Sequence, residues 1–558
     1  MNAAFGILGD QSVQASVKAV ASGPSAPGMN AFAVTVAGNL GDTTAGGKLA
    51  NDRNTLGAEA YGNTAANGLT LDLNNLSSSA PGFSGLLSGT NVANVTNVQS
   101  VAGNATQISA DASGVTPVRT VISGSVTNAT VSSSGNTTQA LAYGNSATGN
   151  TVKVTGNNIT TLVATLPVAP SGAGVAVGAA SVNAAFGVQN AQSGQGSVSA
   201  TRSGGPEVQT YIVGNLVSSS VAADKNKTIV EANSNSATNG VSIEGNALAT
   251  TSAVQNLQQT SADVTAQIGS AAATRANQSG VQVKIDGLTV QGQAVSVSGN
   301  IASGSATGNS ASNSLAVDGN TIAVRGALPA IATSVGALIN GAYADHAVSN
   351  VQTVSGAGAI SSSVSGAYGI DTTAGASISG TQLSVSNNAQ GSQAVANTAT
   401  NGVELTGNSI TARTALQSTQ TSTAKNVDST SSMEVFAPAA STSSRIDLSG
   451  NKNVSLAVIN DVSNTLSVAS TNTSPASAAG STAAMTAIAA TGDHVLLNQQ
   501  TAAAAVTSKA TTNLYNDDSG TPAPVTAGLA GGSLSIARNS TVAEASANRA
   551  ANSVSLVS

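Results

Sequence analysis

Apolar and polar residues alternate in short runs along this chain, and many runs close on Gly-Asn. The pattern reads VTVAGN at Val34–Asn39, VKVTGN at Val152–Asn157, VSIEGN at Val241–Asn246 and VSVSGN at Val295–Asn300. It returns as LAVDGN at Leu315–Asn320, VELTGN at Val403–Asn408 and IDLSGN at Ile446–Asn451. Strict alternation marks a strand with one buried face. Gly supplies the positive φ of a tight turn, and Asn tolerates it. Each run therefore predicts a short strand and a corner. Asn39, Asn157, Asn246, Asn300, Asn320, Asn408 and Asn451 are expected to stack as a structural corner ladder of side-chain amides.

A second motif precedes several corners: NSATGN from Asn145, NSATNG from Asn235, NSASNS from Asn309 and NTATNG from Asn397. NTAANG from Asn63 and NRAANS from Asn548 are variants. Further upstream lies another Asn, as Asn136 before Asn157, Asn226 before Asn246, Asn300 before Asn320 and Asn387 before Asn408. The finest period is thus ~20–21 residues, the size of one coil in many β-solenoids. A longer period shows in NVQ at Asn97 and Asn350, VQN at Val188 and Val254, and NAAFG at Asn2 and Asn183.

One such coil cannot bury its apolar face alone, whereas stacked coils can. The expected fold class is all-β: an elongated β-solenoid (β-helix) of ~20-residue coils grouped in ~65–90-residue repeats. About 28 coils at a spacing of ~4.8 Å would make a rod of about 130 Å. The alternative is a tandem array of small β-sandwich modules, against which the scarcity of aromatic anchors weighs. Residues 1–469 read as repetitive solenoid and 491–558 as a degenerate C-terminal repeat. Between them, 470–490 is an irregular Ala/Ser/Thr-rich segment whose Ala-rich end suggests a short helix. GPSAPG (Gly23–Gly28), SSSAPG (Ser77–Gly82), LPVAPSGAG (Leu166–Gly174) and SGTPAPVTAG (Ser519–Gly528) read as corner insertions.

Composition supports a thin, regular structure with a narrow core. Of 558 residues, 41% are hydrophobic, 2% aromatic and 8% charged, with 59 Gly and no Trp. Disorder would pair low hydrophobicity with high net charge, and here the formal charge is only -6. The 18 Lys and Arg do not cluster, which argues against nucleic acid as a partner. No apolar run approaches the ~18–20 residues of a transmembrane segment. The opening MNAAFGILGDQ lacks the basic and apolar regions of a signal peptide. Export would then require a leader removed from this sequence or a non-classical route. The absence of Cys excludes disulfides and thiolate metal sites, and is compatible with export through a narrow outer-membrane pore.

Little in the chain suggests reaction chemistry. His346 and His494 each follow an Asp, but neighbours on a strand point to opposite faces, so neither pair forms a dyad. In a long rod the two would lie far apart. NLYNDDSG (Asn513–Gly520) is the densest acidic stretch and reads as a solvated turn, with weak calcium binding as the sharper alternative. SGAGVAVGAA (Ser171–Ala180) lacks the spacing of a phosphate loop. Glu207, Asp72 and Asp286 are isolated acids. No catalytic, cofactor-binding or metal residue is assigned, and no enzyme is expected. Tyr61 and Tyr143 share one repeat position, two residues before the Asn of the second motif. They read as corner core filling or as aromatic contacts to sugar or a surface.

Ser305–Asn320, SATGNSASNSLAVDGN, is similar in style to the Asn/Ala/Gly-rich heads of trimeric autotransporter adhesins of Gram-negative bacteria. The regular short head repeat and the coiled-coil stalk of that family are missing. The Cys-free Ala/Asn/Ser/Thr repeats also resemble holdfast-anchor surface proteins of stalked bacteria. These resemblances imply an extracellular, cell-surface structural fibre or adhesin subunit, with phage tail fibres or carbohydrate-binding or carbohydrate-active solenoids as alternatives. The implied partners are further copies of the chain, an outer-membrane export or anchor protein, or surface polysaccharide. With no polar cap evident in the repeats at either end, end-to-end stacking into a filament is expected.

Overall fold

The computed structural model describes residues 3–21, 31–78, 91–114, 116–161, 184–270, 278–323, 341–356, 358–373, 375–438, 441–473, 481–484, 489–516 and 529–558. The insertions at Gly23–Gly28, Leu166–Gly174 and Ser519–Gly528 lie outside these residues. So do Asp517, Asp518, Ser171–Ala180 and most of Ser77–Gly82.

The described residues are all-β, and nearly every strand pairs in parallel with its counterpart one repeat away. Ala3–Val13, Asn91–Val101, Phe186–Gly194, Ser252–Thr260, His346–Val354, Thr414–Ser422 and His494–Ala502 lie side by side in chain order as a seven-stranded wall. Opposite runs a longer wall: Thr55–Ala65, Thr137–Thr161, Lys227–Ala249, Ile301–Ile322, Ala389–Ile410, Lys452–Thr473 and Ser540–Val557. In the first pass it continues through Gly68–Asp72 and Asn75–Ser78. Further parallel sheets, including the column from Lys48–Ala50 to Ser533–Ser535, connect the two walls within each pass. The chain thus makes seven passes through the same walls. Strands of one repeat pair with neighbouring repeats, so no repeat closes on itself as a sandwich module.

The stacking period differs from the one expected. Vertical neighbours are separated by between 63 residues (Asn388 and Asn451) and 96 residues (Asp263 and Ala359). The ~20-residue spacing is instead the length of one wall: Asn136 precedes Thr137–Thr161, and Asn157 lies near the far end of that strand. The whole larger repeat is therefore one pass. Seven passes at a strand spacing of ~4.8 Å make a stack about 30 Å tall, not 130 Å. His494–Ala502 and Ser540–Val557, in the segment read as a degenerate repeat, belong to the seventh pass and pair in register with the sixth.

Each pass encloses two apolar lobes. Val118, Ile122, Ile212, Leu216 and Val295 fill the larger. Val95, Val152, Val154, Phe186 and Val188 belong to the smaller. The long wall serves both, with Ala140 and Ala142 in one lobe and Val152 and Val154 in the other. Between them its register shifts, from Ala147 to Asn150, and Gly149 has φ +88°. At Gly144 a Cβ would stand 2.6 Å from the Ser234 carbonyl of the next pass, so only glycine fits that close approach.

The filling of the larger lobe changes along the stack. One inward column reads Ala110, Ala200, Ala266, Ser362, Ser429, Ser508. In the last three passes these serines join Ser392 and Ser455 of the long wall in a hydroxyl chain. Its links are Ser392–Ser362 at 2.8 Å, Ser429–Ser392 at 3.0 Å, Ser455–Ser429 at 2.8 Å and Ser508–Ser455 at 2.9 Å.

The antiparallel pairings among the described residues join Gly341–Tyr343 to Ser481–Ala484, and Ser481–Ala484 to Ala489–Gly492. The Ala-rich segment read as a short helix thus contributes two strands, because its backbone finds sheet partners that override alanine's helical preference. No helix among the described residues is long and apolar enough to cross a membrane.

Candidate functional site

The most regular chemistry in the molecule is a set of vertical amide columns. The first stands at the corner before the long wall: Asn54, Asn136, Asn226, Asn300, Asn388, Asn451 and Asn539. Asn136 Nδ2 donates to Asn226 Oδ1 at 3.0 Å, Asn226 to Asn300 at 3.0 Å, and Asn300 to Asn388 at 2.9 Å. The same Oδ1 also accepts the backbone N–H of the preceding pass, as from Asn136 to Asn226 at 2.9 Å. The second Nδ2 hydrogen goes to a backbone carbonyl, such as Ala223 for Asn300. Both donors and both lone pairs of a mid-column asparagine are thereby used. Aspartate would lack the donors, and serine would not span the distance.

Two further columns run through the bend of the long wall. Asn63, Asn145, Asn235, Asn309, Asn397, Asn460 and Asn548 are linked by bonds of 2.7–2.9 Å. Asn67, Asn150, Asn239, Asn313, Asn401, Asn464 and Asn552 are linked at 2.8–3.0 Å. Facing them on the seven-stranded wall is a glutamine column: Gln11, Gln99, Gln192, Gln258, Gln352, Gln420 and Gln500, linked at 2.7–2.8 Å. Asparagines donate to the following pass, whereas glutamines donate to the preceding one. The columns cross-brace the walls: Gln258 Nε2 donates to the Ser310 carbonyl and Asn309 Nδ2 to the Thr353 carbonyl. This polar belt separates the two apolar lobes, and in the middle passes its column amides are bonded to the pass above and the pass below.

The expected corner ladder divides into three groups. Asn300 and Asn451 belong to the buried first column. Asn157, Asn246, Asn320 and Asn408 are exposed within the strands near the far end of the long wall, where Asn408 Nδ2 donates to Asn320 Oδ1 at 2.6 Å. Asn39 sits at an exposed corner and accepts from the Ser125 backbone N–H at 2.8 Å. Gly38, Gly299 and Gly450 take the positive φ of a tight turn, whereas Gly156, Gly245, Gly319 and Gly407 continue the long-wall strands, so four of the seven Gly-Asn endings are not the turns expected. The columns at Asn145 and Asn150 coincide with the NSATGN-type motif, and the glutamine column with NVQ and VQN. The missed signal was a polar residue at a position where alternation demands an inward side chain.

Tyr61 and Tyr143 stack with ring centroids 5.2 Å apart and planes 7° apart. They lie on the outer face, not in the core: Tyr61 is 41% exposed and donates to Glu59 at 3.2 Å. Burial, with Glu231 adding to it, raises the Tyr143 hydroxyl well above the usual phenol range.

The two histidines share one column, with Thr414 between them: Ser252, His346, Thr414, His494. They were expected far apart, and the longer stacking period brings them within two passes. His346 Nδ1 meets Ser252 Oγ at 2.8 Å, and burial lowers its pKa to about 4. Beside it, Arg413 grips Asp345 through Nε at 2.8 Å and Nη2 at 3.1 Å, both side chains buried. Glu207 is buried beside Arg202 at 3.8 Å, and burial raises its carboxyl pKa. Asp286 accepts from the Tyr211 hydroxyl and pairs with Lys284 at 3.3 Å. Asp72 accepts from Thr155 at 3.0 Å. Among the described residues no three His, Asp or Glu side chains converge to hold a metal ion.

No protein-family model, curated protein or solved structure matches this chain.

Proposed function

We propose that the protein is a parallel β-solenoid serving as a structural subunit of an extracellular fibre or adhesin on a bacterial surface. It acts without catalysis, and its principal partner is another copy stacked end on end. The observation that supports this reading is the continuity of four amide columns through all seven passes. A buried amide column at strand spacing is extensible, since every added pass presents the same donors and acceptors as the last. Such a stack resists local opening, because breaking one link strands buried polar groups on both sides. The Cys-free, Ser/Thr/Asn-rich composition suits secretion and a surface location.

A carbohydrate-binding reading draws support from the outward Tyr61–Tyr143 stack beside Glu59 and Glu231. Aromatic faces with nearby hydrogen-bonding groups suit sugar rings, and titration with surface polysaccharides reads that directly.

Cryo-electron microscopy of the purified protein tests the main reading. Filaments with an axial repeat of ~4.8 Å are expected. Particles that stay single, about 30 Å along the strand-stacking axis, at every concentration would sink it.

A further inference from the structure

The two edges of the seven described passes carry opposite halves of the same hydrogen bonds. On the seventh-pass edge, Asn548 and Asn552 accept through Oδ1 from Asn460 and Asn464 at 2.8 Å. Their Nδ2 groups make no hydrogen bond among the described residues and face outward along the stack. Asn539 gives one Nδ2 hydrogen to the Leu448 carbonyl at 2.9 Å, leaving the second for the next pass. Gln500 donates inward to Gln420 at 2.8 Å, leaving its Oε1 as an acceptor on the edge.

The first-pass edge is the complement. Asn63 and Asn67 donate to Asn145 and Asn150 at 2.8 and 3.0 Å, and Asn54 donates to Asn136 at 3.0 Å. The Oδ1 atoms of all three are left as acceptors. Gln11 accepts from Gln99 at 2.8 Å and gives one Nε2 hydrogen to the Thr64 carbonyl at 2.8 Å, leaving the other as a donor. Three donors and an acceptor on one edge thus meet three acceptors and a donor on the other. The apolar columns match as well. Val554 (52% exposed) and Leu556 (60% exposed) end the columns that begin at Leu69 and Leu71.

We infer that copies of this chain dock head to tail, with the seventh-pass edge of one seated in register on the first-pass edge of the next. The inference rests on the end-on association proposed above and adds its polarity and its chemistry. Docking in the reverse sense sets donors against donors or acceptors against acceptors. A head-to-tail contact does not close on itself, so it propagates as a filament. It also covers two strand edges that would otherwise template irregular pairing.

The test compares the full chain with two double variants. Asn548→Asp with Asn552→Asp keeps the acceptors that Asn460 and Asn464 use, and turns both outward donors into acceptors. Ser553→Asp with Ser555→Asp adds the same charge to the same exposed strand, outside the columns. Sedimentation and electron microscopy at matched concentration are the readouts. The wild type and S553D/S555D should form filaments alike, whereas N548D/N552D should need at least tenfold more protein to assemble, since a buried unmatched acceptor is strongly disfavoured. Filaments from N548D/N552D at the wild-type threshold would overturn the polarity while leaving end-on assembly intact. Equal inhibition by both variants would assign the effect to charge and also overturn it. A wild type that never assembles would remove the underlying reading.

Discussion

Two sets of asparagines repeat at the same strand spacing and behave differently. In the inner column of Asn145, Asn235, Asn309 and Asn397, every amide is buried or nearly so and bonded above and below. In the outer column of Asn157, Asn246, Asn320 and Asn408, the side chains are exposed. Water can replace any bond an outer amide loses, whereas an inner amide has no substitute partner. Stacking alone therefore does not make a ladder structural; burial with full pairing does. The charged groups divide the same way: Asp345–Arg413 is enclosed, and Lys153–Glu244 at 3.7 Å is half exposed.

The largest break in this contrast is expected from Arg413→Met. It leaves Asp345 buried without its guanidinium and should cost about 3–5 kcal/mol in urea unfolding. Lys153→Met, at the exposed pair, should change stability by less than about 1 kcal/mol. Equal losses would show that enclosure is not what distinguishes the two pairs.

Acid should reveal His346 next. Its folded pKa of about 4 lies below the ordinary imidazole value of 6.5, so between these values the unfolded chain binds the proton and the folded chain does not. Stability is then complete above about pH 6.5 and falls as the pH drops toward about 4, by about 3 kcal/mol. Unfolding midpoints measured across this range should slope in the wild type and flatten in His346→Thr, which continues the hydroxyl pattern of Ser252 and Thr414. An unchanged slope in the variant would place the pH dependence elsewhere.

Within the asparagines, Asn235→Ala should cost about 1–3 kcal/mol, because it strands a buried Nδ2 hydrogen of Asn145 and leaves Asn309 Oδ1 with only the Thr260 hydroxyl as donor. Asn246→Ala, farther along the same strand, should stay within about 0.5 kcal/mol. Matching thermal shifts for the two would erase the distinction between inner and outer columns.

Much of the architecture was legible because the alternation is strong. VSIEGN announces Val241 and Ile243 as inward residues, and both are buried. Gly-Asn marks a turn at Gly38, Gly299 and Gly450, and at Gly156, Gly245, Gly319 and Gly407 the strand runs on through it. What the sequence could not reveal is which Asn lies above which. Asn136 and Asn157 look like successive members of one period, yet they flank a single wall, and the true neighbour of Asn136 is Asn226. Sequence spacing records contour length along the chain, and a parallel stack is defined by returns to the same wall. Insertions of different lengths blur that return, so pairing separations range from 63 to 96 residues. The buried Arg413–Asp345 pair was hidden for the same reason, its partners being 68 residues apart.

The most direct test of the account is the vertical register. The chain contains no Cys, so two introduced thiols report without background. Glu244 and Asp318 are exposed and lie side by side on neighbouring strands. Thr265 lies on another wall, opposite Ser361. Glu244→Cys with Asp318→Cys should react with dibromobimane to give a fluorescent intramolecular crosslink, as thiols one strand spacing of ~4.8 Å apart do. Glu244→Cys with Thr265→Cys should not. Crosslinking of the second pair and not the first would contradict the long pass and restore the short coil.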